Sequence, residues 1–188
     1  MHEDIVLSGF GGQGVMFAGQ LLAYAGLREG KHVAWVPSYG PEMRGGTAHV
    51  TVVVSDEEIG SLIVAHPTVA VVMNLPSFER FVPAVKPGGL LIVNSSLIAE
   101  TVDRDDILTL RVPANDISLE LGNDRLANMV MVGALLASRP VVSKESVVES
   151  LKKILPERRQ RLLEINEQAM QRGIECSSPS RSSAQLTD

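Results

Sequence analysis

Short runs of consecutive apolar residues punctuate this sequence, and strict alternation is rare. Residues 5–8 open the series and lead straight into glycine, which predicts a strand buried on both faces. Residues 33–36, 50–55, 69–73, 90–94 and 107–112 repeat the pattern and predict five more strands. Pro37 halts the second, and Lys86-Pro87-Gly88-Gly89 turns the chain into the fifth. Between these runs the spacing becomes helical. Val15, Ala18, Leu22 and Ala25 share one stripe, and Gly30 is its stop. Ser77 caps a short helix through Phe78, Phe81 and Val82. Asn123 or Asp124 opens a helix through Ala137, apolar nearly all round over 129–136, which belongs in a core or at an interface. Ser143 caps another helix, with Val147, Leu151, Ile154 and Leu155 on one side, and Pro156 opens a last charged helix to about Gln171. Residues 59–64 fit a short helix or an extended segment equally.

Apolar strands separated by helices predict βαβ units. The expected fold is α/β: a three-layer, mostly parallel sheet with helices on both faces, Rossmann-like. The 188 residues suit one domain, placed at 1–173, with a serine-rich, disordered tail over 174–188. With 17 basic and 22 acidic residues the formal charge is -5, which argues against nucleic acid or an anionic membrane as partner. No apolar run is long enough to span a bilayer, and Met1-His2-Glu3-Asp4 is no basic leader, so a cytoplasmic location is expected. Cys176 is the single cysteine, so a disulfide within the chain or a four-thiolate cluster is excluded. His2, His32, His49 and His66 lack metal-ligand spacing.

Gly9, Gly11 and Gly14 form G-x-G-x-x-G where the first strand meets the first helix. Glycines permit a tight turn and close approach of a ligand, and the free N–H groups of a helix start hold an anion. A dinucleotide site also needs an acid at the end of the second strand. Val36-Pro37-Ser38 supplies none. The P-loop sequence is absent too. Three readings stay open: a phosphate of some other ligand, a classical NAD(P) site without its usual acid, or a tight turn pressed against another subunit.

The Gly/Pro-rich segment 37–46 follows the second strand at its carboxyl end, beside the glycine turn. Arg44, flanked by Gly45 and Gly46, offers a planar donor fork to a carboxylate or phosphate, or pairs with Glu42. His49 is either a base or a structural histidine. Asn74 and Asn94 end strands at the same rim, where each binds a ligand or caps the next turn. No serine nucleophile elbow and no paired carboxylates appear, so no residue is assigned a catalytic role.

Gly11-Gly12-Gln13-Gly14-Val15, followed by Ser38-Tyr39-Gly40-Pro41-Glu42-Met43-Arg44-Gly45-Gly46-Thr47, resembles the gamma subunit of 2-oxoacid:ferredoxin oxidoreductases. Val85-Lys86-Pro87-Gly88-Gly89-Leu90 and Asn94-Ser95-Ser96 fit the same family, and the likeness covers residues 3–172. Ile59-Gly60-Ser61-Leu62 departs from its usual Ser-Pro at the last two positions. The resemblance implies a subunit of an enzyme that oxidatively decarboxylates a 2-oxoacid to its acyl-CoA and CO2 and reduces ferredoxin. It implies thiamine diphosphate, Mg2+ and [4Fe–4S] clusters in partner chains. Those partners are alpha and beta thiamine-site subunits and a small ferredoxin-like delta subunit. Coenzyme A enters as co-substrate, and the isolated chain is expected to be inactive. The positions carried over as facing coenzyme A or scaffolding its site are Gly11, Gly12, Gln13, Gly14, Tyr39, Glu42, Arg44, Gly45 and Gly46, with no metal ligand among them. The Tyr39–Gly46 motif places 2-oxoglutarate first as substrate, branched-chain 2-oxoacids second and indolepyruvate third. A free-standing nucleotide-binding module is the alternative from another class.

Overall fold

A computed structural model of the chain describes residues 1–38 and 47–177, without the side chains of residues 158 and 159. Six strands form one sheet: β1 (His2–Phe10), β2 (His32–Ser38), β3 (Thr47–Ser55), β4 (Val69–Val72), β5 (Leu90–Asn94) and β6 (Leu108–Val112). Their order is β2-β3-β1-β4-β5-β6. β1, β4, β5 and β6 are parallel, whereas β3 is antiparallel to both β1 and β2. The mostly parallel α/β sheet therefore stands, with one reversed strand inserted between β1 and β2. β2 also continues through Pro37, which was expected to end it. It is an edge strand, where the missing proline N–H leaves no ladder bond unmade.

The helices are α1 (Val15–Arg28), α2 (Leu75–Phe81), α3 (Ala114–Glu120), α4 (Ala127–Ser138), α5 (Lys144–Ile154) and α6 (Leu163–Ser177). Five of them cover one face of the sheet. There Ile5, Leu7, Val52, Val71 and Ile92 pack with Leu22, Val130, Leu135, Leu151 and Met170. On the other face, Val6, Val72, Leu91 and Val93 meet Phe78 and Phe81 of α2. The all-apolar stretch 129–136 is the buried centre of α4, as its composition requires. α4 crosses α6 at glycine on glycine: a Cβ on Gly133 would overlap the Met170 carbonyl, and one on Gly173 would overlap that of Val130.

Several boundaries differ from the sequence reading. Asn74, not Ser77, caps α2: its Oδ1 accepts the Ser77 N–H at 2.9 Å, and Pro76 sits in the first turn, where its missing N–H costs nothing. Asn123 caps a short 3-10 turn, Asp124–Leu126, that runs into α4. Another 3-10 turn, Glu157–Leu162, precedes α6. α6 continues through Gly173 to Ser177, past the helix end expected near Gln171, and residues 178–188 of the expected tail lie outside the described residues. α3 had no counterpart in the sequence reading. Ser143 does cap α5, its Oγ accepting the Ser146 N–H at 3.1 Å.

At the amino-terminal end of the strands, buried charges are paired. Asp4 accepts Lys86 at 3.1 Å, and Glu3 accepts the Thr68 hydroxyl. These contacts tie β1 to the entrances of β4 and β5.

Candidate functional site

The glycine turn is built from close approach and from positive φ. Gly12 and Gly14 have φ of 95° and 76°, a region that side-chain-bearing residues rarely adopt. Gly9 has no room for a Cβ, which would lie 2.6 Å from Gln13 Oε1 and 2.8 Å from Met73 Cβ. Gln13 braces the turn: its Oε1 accepts the Phe10 N–H at 2.6 Å, and its Nε2 donates to the Met73 carbonyl at 3.2 Å. That brace fastens the turn to the carboxyl end of β4. From beneath, the Asn128 amide donates to the Gly14 carbonyl at 3.2 Å.

Gly14 is the N-cap of α1, so no side chain caps that helix, and no acidic residue lies in its first turn. The first-turn N–H groups therefore face outward with the positive end of the helix dipole. On one side of the turn is a crevice of about 200 Å³, lined by Gly12, Gln13, Met73, Asn115, Asp124 and Arg125 among others. Gln13 and Asn115 place two amides on its wall, and Asn115 is held from outside the lining. Asn94 Nδ2 donates to Asn115 Oδ1 at 2.7 Å, while Asn94 Oδ1 and Asn74 Nδ2 are buried without a partner among the described residues. On the other side, Phe10, Val15, Met16, Phe17 and Ala48 line an apolar hollow of about 310 Å³. The arrangement offers an anion cradle, a hydrogen-bonding crevice and an apolar trough in one row. A larger hollow of about 440 Å³ lies elsewhere, between Lys144, Glu164 and Arg172, and its walls are surface side chains.

Gly11, Gly12, Gln13 and Gly14 are thus together at one rim, where Gln13 acts as a brace. Tyr39, Glu42, Arg44, Gly45 and Gly46 lie outside the described residues. The strands bounding that segment end at the same rim, with Thr47 opposite Phe10 and Ser38 opposite His49. Asn128 and Asn115 were missed from sequence, since their partners Gly14 and Asn94 are distant along the chain. Asn74 turns out to cap, as the turn chemistry favours, and the Ser8 hydroxyl is held by Ser77 at 2.8 Å within the core. Among the described residues no His, Cys, Asp and Glu grouping could hold a metal ion, and no helix is long and apolar enough to cross a membrane.

His49 is half-buried against the edge of Phe81, with ring centroids 5.6 Å apart, and Arg80 lies over the same Phe81 ring. Burial, and then the Arg80 charge, hold its pKa below the ordinary 6.5. The folded state therefore resists a proton that the unfolded chain accepts. Stability is fully present above pH 6.5 and falls as the pH drops toward the lowered value. Urea unfolding of His49→Gln between pH 7 and 5 should show a flatter loss of stability than the parent. An unchanged slope would assign the effect to other groups.

Residues 4–176 match the sequence family described as pyruvate ferredoxin/flavodoxin oxidoreductase. The chain belongs to that family. The 2-oxoglutarate synthase subunit KorC of Methanothermobacter marburgensis is 38% identical over 163 residues, covering 83% of this chain and 88% of that one. The ketoisovalerate oxidoreductase subunit VorA of the same organism is 41% identical over 133 residues, 71% of this chain, but the match spans only 28% of VorA's length. Among solved structures, the keto/oxoacid ferredoxin oxidoreductase gamma subunit of Geobacter sulfurreducens is 30% identical, with a TM-score of 0.80 over 93% of this chain and 98% of that one. The 2-oxoglutarate:ferredoxin oxidoreductase of Magnetococcus marinus, solved with 2-oxoglutarate, coenzyme A and succinyl-CoA bound, shares the fold at 22% identity, with a TM-score of 0.85 over 94% of this chain and 31% of that one. The gamma-type fold expected from the sequence motifs is the fold present.

Proposed function

We propose that this chain is the gamma subunit of a 2-oxoacid:ferredoxin oxidoreductase and that its glycine-turn rim receives coenzyme A. The row formed by anion cradle, amide crevice and apolar trough carries the reading. Coenzyme A combines a nucleotide with phosphates and a long, weakly polar arm, and such a row suits all three parts. Gly11, Gly12 and Gly14 give the backbone approach and Gln13 holds the turn; Arg44 is proposed as a donor to a phosphate, and Tyr39, Glu42, Gly45 and Gly46 as residues that scaffold the same site. Thiamine diphosphate, Mg2+ and [4Fe–4S] clusters reside in the alpha, beta and delta partners. They would supply the decarboxylation and electron-transfer chemistry there. The absence of nucleophile and base signatures agrees with a subunit that positions a co-substrate. A cytoplasmic site of action belongs to the same reading.

2-Oxoglutarate is the proposed substrate. The KorC relatives match this chain over most of their own length, whereas the VorA matches cover 28% and 31% of theirs. Branched-chain 2-oxoacids are the second reading, favoured by the 41% identity to VorA. In the assembled complex, Arg44→Ala should raise the KM for coenzyme A about tenfold or more, the scale of a lost charge-assisted hydrogen bond, without loss of assembly. An unchanged KM would remove coenzyme A from this rim.

A further inference from the structure

Resting on the subunit reading above, we infer that residues 59–64 form the element by which this chain docks on a partner subunit. Its seat would be an apolar groove with a basic rim. The segment joins β3 to β4 at the amino-terminal end of the sheet, opposite the glycine turn, as the pairings of Ser55 with His2 and of Val69 with Ile5 show. It reads Ile59-Gly60-Ser61-Leu62-Ile63-Val64 and is neither helix nor strand. Ile63 is 88% exposed and Leu62 is 56% exposed. Two adjacent large aliphatic side chains at the tip of one loop differ from the scattered exposed leucines of ordinary surfaces.

The loop is also held in shape. At its tip the Ser61 hydroxyl accepts the Ile63 N–H at 3.1 Å, a turn that turns the backbone beneath Leu62 and Ile63. At its entry Ser55 Oγ accepts the Glu57 N–H at 3.1 Å. At its exit His66 Nδ1 lies 3.2 Å from the Ala84 carbonyl, and the Pro67 carbonyl accepts the Lys86 N–H at 3.0 Å. A loop pinned at both ends and at the tip loses little conformational entropy on docking.

Charge selects the occupant. Glu57 and Glu58 directly precede the apolar segment, are exposed, and make no ion pair among the described residues. Asp56 beside them is already taken by Lys31 at 2.8 Å and by the amino terminus at 2.6 Å. Two exposed, unpaired acids at the entry to an apolar tip repel an anionic lipid surface and oppose a second copy of themselves. They suit an apolar groove whose rim carries lysine or arginine.

The test uses the complex, made by co-expressing the chain with its own alpha, beta and delta partners. Leu62→Asp/Ile63→Asp should weaken association at least about a hundredfold, the scale of two interface anchors, while the isolated chain keeps its melting temperature because both side chains are solvated. The milder Leu62→Ser/Ile63→Ser should weaken it in the same direction. Glu57→Lys/Glu58→Lys should weaken association and flatten its dependence on salt. Wild-type affinity in the aspartate pair would overturn the inference. So would homodimerisation or vesicle binding that the same pair abolishes while partner association survives. If the parent chain fails to join these partners at all, the subunit reading falls and takes the inference with it.

Discussion

Gly133→Ala is expected to destabilise the protein by about 3 kcal/mol or more, the upper range for overpacking a close contact. Helix propensity alone argues for the opposite sign, since alanine in place of glycine gains roughly 1 kcal/mol in a helix interior. Packing decides. The new Cβ would overlap the Met170 carbonyl on α6, and backbone at a buried crossing cannot move aside as a flexible side chain can. Gly173→Ala meets the Val130 carbonyl in the same crossing and should behave alike. The two helices would have to separate, opening the core around Met129, Val130, Ala169 and Met170, all buried. For a chain of this size the loss corresponds to a melting temperature lower by roughly 6–12 °C. Thermal unfolding followed by circular dichroism measures it. A variant as stable as the parent would mean that α4 and α6 do not meet at these glycines.

Gly14→Ala is expected to damage the ligand rim more than the fold. An alanine at φ 76° carries left-handed strain of roughly 1–2 kcal/mol. Its Cβ would also lie 2.5 Å from Asn128 Nδ2, the atom that donates to the Gly14 carbonyl. The contact that seats the start of α1 would open, and the first-turn N–H groups would shift from the cradle. Binding of coenzyme A by the complex should weaken at least about tenfold, an effect of about 1.4 kcal/mol. Gly30→Ala supplies the comparison. Gly30 also has a positive φ, 73°, but nothing lies within 4 Å of its added Cβ. It sits past the other end of α1, so its variant should lose only the stability that left-handed strain costs and keep coenzyme A affinity. Titration of the purified complexes with coenzyme A separates the two. Equal behaviour of both variants would deny the turn a role in binding.

The contrast between these glycines also shows which features were legible in the sequence. G-x-G-x-x-G after an apolar run identified the first strand, turn and helix, because the chemistry of that turn is local. Residues 90–94 were readable for the same reason, lying between a Pro-Gly-Gly turn and a polar stretch. The reversed direction of β3 was not readable. A strand apolar on successive positions looks alike in either direction, and only its pairing with β1 and β2 distinguishes them. α3 escaped because it lacks a side-chain cap and buries only Ala114, Ile117 and Ser118. At the α2 entrance two capping residues stood three apart, and the choice of Asn74 over Ser77 turned on Pro76 being tolerated in a first turn.

The site divides in the same way. Its glycines were readable, because backbone conformation demands them. Its supports were not. Asn128 reaches Gly14, Asn94 reaches Asn115, and Gln13 reaches Met73 only after the sheet and α4 are in place. The burial of Asn74 Nδ2 and Asn94 Oδ1 without a partner among the described residues is likewise a property of the assembled rim.

The proposed function makes this chain one subunit of a 2-oxoacid oxidoreductase. Its most direct test is mild affinity purification of the tagged chain from its native cell under argon, with mass spectrometry and 2-oxoacid-dependent viologen reduction on the eluate. Co-purifying thiamine-binding and iron–sulfur subunits and coenzyme-A-dependent activity, highest with 2-oxoglutarate, are expected. A lone, colourless and inactive protein, under conditions that preserve such complexes, would contradict the subunit reading and favour a free-standing nucleotide-binding module.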